Sequence, residues 1–352
     1  MKVKVINSSQ KFSSIWLYSR NLCKVDNKNV SVLDAYNEFN GINLMKREFQ
    51  IGVDSCLGGL FLRQELDDKD YDILHYANQT ISPVKTKKVQ IVTVHDNPYT
   101  FLQSGIYSSY TSTEKNFKKL IKYNIVLIKN RFLKRNMDRY KEFENVLTNS
   151  NYVGKSLREY GFTGNIKTIY LPVSPYFEKL QHKHEIRKEL GLPDNRILLL
   201  SVSNNATRKN LALIEKAMKI LPDRFSLVRV GTPIGNSITF QNVSNENLNK
   251  IYNACDVLLM PSIEEGLGLP IVEGFATGIP IVASDIEVFH EIGKDAVEYI
   301  NPLEMQSLIS GINNALENKD KMISKADKIV PQFSFQLFKE KMLDYYKKCY
   351  EI

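Results

Sequence analysis

The feature that most constrains the fold is a regular alternation of short β-rich runs with segments of helical period. In the first half the predicted strands are KVKVI, YDILHYA, VQIVTVH and NVLTNS, and in the second half they are RILLLSVS, FSLVRVG, DVLLMPS and IPIVAS. Strands that alternate with helices build parallel sheets covered by helices on both faces. The sequence therefore predicts an α/β protein.

The domain organisation follows from length and from one irregular segment. A chain of 352 residues exceeds what one core usually supports. Residues 168–195 carry three prolines and little regular period, and we place an interdomain linker at about 171–183. We therefore expect an N-terminal domain over residues 1–173 and a C-terminal domain over residues 174–335. An amphipathic terminal helix at about 336–352 is expected to join the first domain.

Composition and cysteine usage indicate the expected cellular location. Hydrophobic residues make up 43% and charged residues 24%, as in soluble globular proteins. No apolar run reaches the ~18 residues that a membrane span needs, and MKVKVINSSQ reads as a first strand, not a signal peptide. The four cysteines form no CxxC pair, which favours reduced thiols over a zinc site. We expect a cytoplasmic protein.

Two carboxylates flank a glycine turn in PSIEEGLGLPIVEGFATGIPIVAS, residues 261–284. The pattern predicts a buried strand, a glycine turn, a helix with Pro270 near its start, and a second strand. Backbone N–H groups at such a helix N-terminus favour an anion. Glu265 and Glu273 could bind sugar or ribose hydroxyls beside that anion, or they could be solvated surface residues.

A second candidate site follows RILLLSVS. One helical face is traced by four apolar residues, Leu211, Ile214, Met218 and Leu221. The helix is therefore expected to begin near Thr207, with Arg208 and Lys209 in its first turn, where cations are disfavoured. Such a break of a local rule suggests a diphosphate pocket, although a solvated pair of cations is the alternative. Both candidate sites follow strands of one parallel sheet, where α/β proteins bind ligands.

The stretch E-G-L-G-L-P-I-V-E-G-F-A-T-G-I-P, Glu265 to Pro280, resembles the E-G-F-G-L-P-x-x-E-A-x-A-x-G-x-P signature of the retaining family 4 glycosyltransferases (glycosyl transferases group 1). The resemblance extends to NNATRKN, QNVSNENLNKIYNACDV and HEIGKDAVEYINP, and more weakly to DILHYANQ and TVHD. It implies the GT-B architecture: two Rossmann-like domains whose parallel sheets face each other across a cleft. The first domain would bind the acceptor and the second the sugar nucleotide.

The resemblance also implies roles for particular residues. Glu273 would hold the ribose hydroxyls of the donor, Glu265 the transferred sugar, and Arg208 with Lys209 the diphosphate. His95 would face the sugar, although a histidine at a strand end is unremarkable by itself. The catalytic set is then His95, Glu265, Arg208 and Lys209. The remaining donor contacts would come from Gly266, Leu267, Gly268 and Leu269 on the glycine loop and from Asn242 and Val243 beside the base.

Some positions depart from the family pattern. Ser203 and Asn204 stand where the family often carries a glycine and then an arginine. The segment SSQKFSS, residues 8–14, replaces a glycine pair in the loop that meets the acceptor. The nature of the acceptor is therefore the least transferable part of the resemblance.

The function expected from these residues is transfer of a hexose, with retention, from a UDP-, GDP- or ADP-sugar to an acceptor hydroxyl on a glycan or a lipid-linked glycan. Arg208 and Lys209 would neutralise the leaving diphosphate, so no metal and no cofactor is expected. The alternatives are a two-Rossmann sugar-nucleotide epimerase and a non-catalytic protein that binds membrane surfaces.

The net charge of +8 is concentrated in the first half of the chain. Residues 1–174 hold 26 Lys+Arg and 16 Asp+Glu, a balance of +10, and the remainder has 21 and 23, a balance of −2. A basic segment of helical period is either a solvated face or a surface that docks on an anionic membrane at the inner face of the cell. Its candidate contacts are Lys118, Lys119, Lys122, Lys129, Lys134 and Arg135. No nucleic acid is expected, because no aromatic interleaving accompanies the charge.

Overall fold

The computed structural model describes residues 1–7, 14–34, 70–79, 83–97 and 138–351, and the chain forms two units. The first unit contains Met1–Tyr170 and Phe338–Ile352, and the second contains Leu171–Leu337. From the sequence we expected boundaries after residues 173 and 335. The basic segment that carries the six candidate membrane contacts, residues 118–135, lies outside the described residues.

The first unit is built on a six-stranded parallel sheet. Its strand order is β2-β1-β3-β4-β5-β6, and the predicted strands KVKVI, YDILHYA, VQIVTVH and NVLTNS are confirmed as β1, β3, β4 and β5. The described elements in chain order are β1 (Val3–Asn7), α1 (Ser14–Val25), β2 (Val30–Asp34), β3 (Ile73–Tyr76), β4 (Val89–Val94), a 3-10 turn (Asp138–Glu142), β5 (Asn145–Thr148), α2 (Asn151–Glu159) and β6 (Asn165–Thr168).

The second unit is also built on a six-stranded parallel sheet. Its elements are α3 (Lys183–Glu189), β7 (Ile197–Val202), a 3-10 turn (Thr207–Lys209), α4 (Leu211–Met218), β8 (Phe225–Val230), β9 (Ile238–Phe240), α5 (Asn245–Ala254), β10 (Val257–Met260), α6 (Leu269–Thr277), β11 (Ile281–Ser284), α7 (Glu287–Gly293), β12 (Glu298–Ile300), α8 (Met305–Glu317), α9 (Lys319–Ile329), a 3-10 turn (Val330–Phe333) and the start of α10 (Phe335–Glu351). The strand order is β12-β11-β10-β7-β8-β9, and all pairs are parallel.

This strand order contains one reversal. The chain runs outward from β7 through β8 to β9 and then returns to place β10 on the other side of β7. Val257 pairs with Leu199 and Leu258 with Leu200 across that junction. In open parallel sheets the loops at the carboxyl ends of two such strands diverge and leave a crevice for ligands. The loops after β7 and β10 are the two that the sequence analysis singled out.

Burial explains why the strands could be read from the sequence. Strands of parallel sheets that are covered on both faces are continuous apolar runs. The side chains of Leu198, Leu200, Val257 and Leu258 are fully buried. Removal of a Leu or Val side chain from water contributes about 1.5–3 kcal/mol. The central strands therefore stabilise the sheet and fix the loops at its edge.

The terminal helix α10 belongs mostly to the first unit. Its residues from Phe338 onward group with that unit, and Met342, Tyr345 and Tyr346 are buried. The hydroxyl of Tyr346 lies 2.6 Å from Nδ1 of His75 on β3. The helix therefore anchors to the sheet through a buried polar contact as well as through apolar packing.

Candidate active site

The loop from Pro261 to Gly268 leaves the sheet at β10 and delivers the first carboxylate. Gly268 caps α6 with φ +88° and ψ 54°, a left-handed conformation. A Cβ there would lie 2.7 Å from Cε1 of Phe289, so only glycine fits. Helix α6 begins at Leu269, with Pro270 in its first turn as predicted, and ends at Thr277, where Gly278 with φ +74° forms the C-cap. Glu265 is held just before this helix and is 5% exposed.

The connection after β7 corrects one prediction. We expected a helix that begins near Thr207, but Thr207–Lys209 form a separate 3-10 turn and α4 begins at Leu211. Asn210 between them has φ +51°, which breaks the helical path. Arg208 and Lys209 are therefore not in the first turn of α4, and the argument from an unfavourable helix dipole does not apply to them. The side chain of Asn210 instead donates to the carbonyl of Pro302 at 2.7 Å.

The 3-10 turn and the glycine loop meet at Glu265. Nη1 of Arg208 donates to Oε2 of Glu265 at 2.6 Å, and Nζ of Lys209 donates to Oε1. Nη1 of Arg208 also donates to the carbonyl of Glu264 at 3.1 Å. The N–H of Ile263 donates to the carbonyl of Arg208 at 2.8 Å. Three of the four residues predicted to act in catalysis thus form one cluster at the strand reversal.

The charge balance of this cluster is informative. Arg208 and Lys209 keep only 14% and 13% of their side-chain surface exposed, and the carboxylate between them keeps 5%. Partly buried ion pairs interact more strongly than exposed pairs because water screens them less. The two cations and the one carboxylate of this cluster sum to a charge of +1. That charge suits an anionic ligand.

Glu273 lies one helix further along and outside that cluster. It is partly exposed on α6, and its Oε2 accepts from the hydroxyl of the buried Tyr252 on α5 at 2.7 Å. Burial raises the pKa of Glu273 to about 7, although the hydrogen bond from Tyr252 acts in the opposite direction. In the described part of the chain Glu273 makes no ion pair with Arg208 or Lys209. Tyr252 is a contact that the sequence analysis did not identify.

The other donor-site candidates lie on two loops of the second unit. Gly266, Leu267 and Gly268 are buried, and Leu269 is half-buried at the start of α6. Asn242 and Val243 lie in the connection from β9 to α5, and the exposed Asn242 has φ +51°.

His95 follows β4 in the first unit. Its Nε2 lies 2.8 Å from the carbonyl of Ala77, and its ring meets the ring of Tyr18 edge-to-face at 4.8 Å. Burial lowers the pKa of His95, so the neutral ring is favoured. Since a carbonyl can only accept, Nε2 carries the proton and Nδ1 keeps its lone pair.

A buried polar chain supports the strand before His95. Nε2 of His75 lies 2.7 Å from the hydroxyl of Thr93, which lies 2.9 Å from the hydroxyl of Tyr18. Burial lowers the pKa of His75 to about 3, so this ring is neutral. Tyr18, whose ring packs against both histidines, was not predicted from the sequence.

Comparisons with known proteins agree with this architecture. The sucrose-phosphate synthase of Thermosynechococcus elongatus superimposes with a TM-score of 0.76 at 14% identity, over 100% of this chain and 99% of that chain. WaaG, a glycosyltransferase involved in lipopolysaccharide biosynthesis, gives a TM-score of 0.71 at 14% identity, over 97% and 99%. The fold is that of the GT-B glycosyltransferases.

Part of the sequence also matches a family model. Residues 182–330 match the family model described as "Glycosyl transferases group 1". The match lies within the second unit of the chain.

Two curated relatives align over part of their length. The O-antigen chain mannosyltransferase RfbU of Salmonella typhimurium is 26% identical over 268 residues, which cover 71% of this chain and 67% of that protein. The putative teichuronic acid biosynthesis glycosyltransferase TuaC of Bacillus subtilis is 29% identical over 161 residues, which cover 43% and 41%. Among the described residues of our protein, no helix is both long enough and apolar enough to cross a membrane.

Proposed function

We propose that this protein is a retaining glycosyltransferase of family 4 that moves a hexose from a nucleoside-diphosphate sugar to an acceptor hydroxyl. The observation that carries the proposal is the placement of Arg208 and Lys209 on one carboxylate at the strand reversal. That cluster offers positive charge where a diphosphate would lie and a carboxylate where a sugar would lie.

Binding of the donor would exchange partners within the cluster. Phosphate oxygens of the donor would replace Glu265 on Arg208 and Lys209, and the released carboxylate would accept hydrogen bonds from sugar hydroxyls. The N–H groups of the glycine loop would add donors to the phosphate. Glu273 would hold the ribose. Because the two cations already neutralise the leaving group, the proposal needs no metal.

The chemistry would be a displacement on one face of the sugar. The bond between the anomeric carbon and the β-phosphate oxygen breaks, and a bond to the acceptor oxygen forms on the same face. The acceptor hydroxyl transfers its proton to the departing phosphate oxygen. Negative charge grows on the diphosphate, so fixed cations lower the barrier more than they stabilise the ground state. We also propose that the neutral ring of His95 contributes to catalysis as a hydrogen-bond acceptor through the lone pair on Nδ1.

The substrates are proposed only by class. The names of the relatives, a mannosyltransferase and a teichuronic acid glycosyltransferase, support a glycan or lipid-linked glycan acceptor and make mannose the first hexose to test. We place the reaction at the cytoplasmic face of the membrane, with the basic segment of the first half as the contact to anionic lipid.

The first test measures release of nucleoside diphosphate from UDP-, GDP- and ADP-sugars, with and without a lipid extract. Release that depends on the extract supports the proposal. Interconversion of donors without release would indicate an epimerase instead. If no nucleotide stabilises the protein against unfolding, the result would favour the non-catalytic binding protein.

The second test compares Glu265→Gln with Glu264→Gln, a matched loss of one carboxylate in the same loop. In Glu265→Gln the cations are released, so we expect affinity for the nucleoside diphosphate to rise several-fold while turnover falls by about 100-fold or more. Glu264→Gln should change both by less than about threefold. Equal turnover in the two variants would contradict the role of Glu265.

A further inference from the structure

The second unit contains a charged side chain in its core. Arg229 on β8 has 0% exposure, in a strand that is otherwise apolar or small, FSLVRV. Its Nη1 donates to the carbonyl of Ser201 at 3.0 Å and to the carbonyl of Val230 at 2.9 Å. Its Nη2 donates to the carbonyl of Ser203. All of these oxygens are neutral.

Among the described residues, the positive charge of Arg229 has no counterion. The guanidinium makes no ion pair with a carboxylate in the described residues, and its Nε has no hydrogen-bond partner there. Burial alone lowers its pKa, with no opposing contribution from a nearby acid. Buried charges are normally paired, because an isolated charge in the interior is costly. Packing alone therefore does not explain why a guanidinium without an ion pair lies in the core.

The location of the guanidinium suggests that reason. Ser203 is the first residue after β7, and the chain runs from it through Asn204 to Arg208. A Cβ on Gly231 would lie 2.3 Å from the carbonyl oxygen of Ser203 and 2.8 Å from Nη2 of Arg229, so the contact is tightly enclosed. Arg229 thus fixes the start of the loop that carries Arg208 and Lys209. The loop itself, SNNAT, supplies no cation before Arg208.

We infer that Arg229 is a positioning residue for the donor diphosphate. It holds the Ser203 carbonyl so that the loop presents Arg208 and Lys209, and its unpaired charge lies beneath the same edge of the sheet. The diphosphate of the bound donor is then the anion that compensates it. This inference rests on the proposed function, because it needs an anionic ligand at that edge.

The test distinguishes an effect of charge from an effect of packing by comparing charged ligands with uncharged ones. Affinities of wild type, Arg229→Gln and Arg196→Gln are measured by calorimetry for UDP, GDP and ADP and for uridine, guanosine and adenosine. Arg196 is exposed at the opposite end of β7, so its variant controls for the loss of one charge. We expect Arg229→Gln to bind the diphosphate about tenfold or more weakly, with nucleoside affinity within about twofold of wild type. Arg196→Gln should bind both like wild type.

The possible results distinguish a failure of this inference from a failure of the proposed function. If wild type binds none of the three diphosphates, the proposed function fails and the inference fails with it. If wild type binds a diphosphate and Arg229→Gln binds it equally, or loses nucleoside and diphosphate affinity together, only the inference is overturned. If Arg229→Gln does not fold, Arg229→Lys replaces it, since lysine keeps the charge but cannot make the three carbonyl bonds. Its diphosphate affinity should then fall more than its nucleoside affinity, and equal losses would overturn the inference.

Discussion

Glu273 should make the stability of the second unit depend on pH. Burial raises its pKa from 4.5 to about 7, so the folded protein binds this proton more tightly than the unfolded chain. Below pH 4.5 both states are protonated, and the stabilisation is fully present. As pH rises toward 7 the unfolded state loses the proton first, so stability falls, and the loss is complete above pH 7. At 1.36 kcal/mol per pKa unit the total is about 3 kcal/mol.

Glu273→Gln isolates this effect because glutamine mimics the protonated acid and still accepts from Tyr252. The free energy of unfolding is measured in urea from pH 4 to 8.5. Unfolding of the second unit is followed by hydrogen exchange of its peptides, because the single tryptophan lies in the first unit and would not report on the second. We expect the variant to match wild type at pH 4 and to exceed its stability by about 3 kcal/mol at pH 8. Glu317→Gln, at an exposed site on α8, is the control and should track wild type throughout. A difference between Glu273→Gln and wild type that stays constant across this range would refute the reasoning.

Two further substitutions test neighbouring contacts. Tyr252→Phe removes a hydrogen-bond donor to the ionised form of Glu273, so the pKa of that acid should rise further. The pH midpoint of the affinity for nucleoside diphosphate should then shift upward. An unchanged midpoint would contradict the coupling between Tyr252 and Glu273. Gly268→Ala adds a Cβ 2.7 Å from Phe289 at φ +88°, and it should lower the free energy of urea unfolding by about 2–5 kcal/mol. Its control, Gly191→Ala, has φ +65° but open space around it and should cost only about 1–2 kcal/mol; equal losses would show that the contact with Phe289 is harmless.

The sequence predicted best those features that depend on neighbours along the chain. Buried parallel strands are recognisable because both faces are apolar, and the predicted strands of the second unit are confirmed as β7, β8, β10 and β11. The start and end of α6 follow from the conformations that Pro270 and Gly278 favour. The resemblance to the group 1 family could likewise be recognised, since the motif that carries it lies within a single segment.

Features that depend on contacts distant in sequence were not predictable. Nothing in RKN indicates that Asn210 adopts φ +51°, because its side chain is held by Pro302, 92 residues away. The pairing of Tyr252 with Glu273 also has no local signal. Arg229 did have a local signal, since a charged residue is unusual in an apolar strand such as FSLVRV and is normally paired when buried.

The two glutamates of the motif illustrate why residue spacing alone is not enough to assign roles. The motif places seven residues between them and gives them no distinct roles, yet Glu265 lies between two cations and Glu273 lies against a phenol. If the proposed function holds, Glu265 becomes available to a sugar only when another anion takes Arg208 and Lys209. A sugar without a diphosphate would then meet a carboxylate that is already occupied. Selectivity for an intact nucleoside-diphosphate sugar over free hexose would therefore follow from the ion pairs themselves.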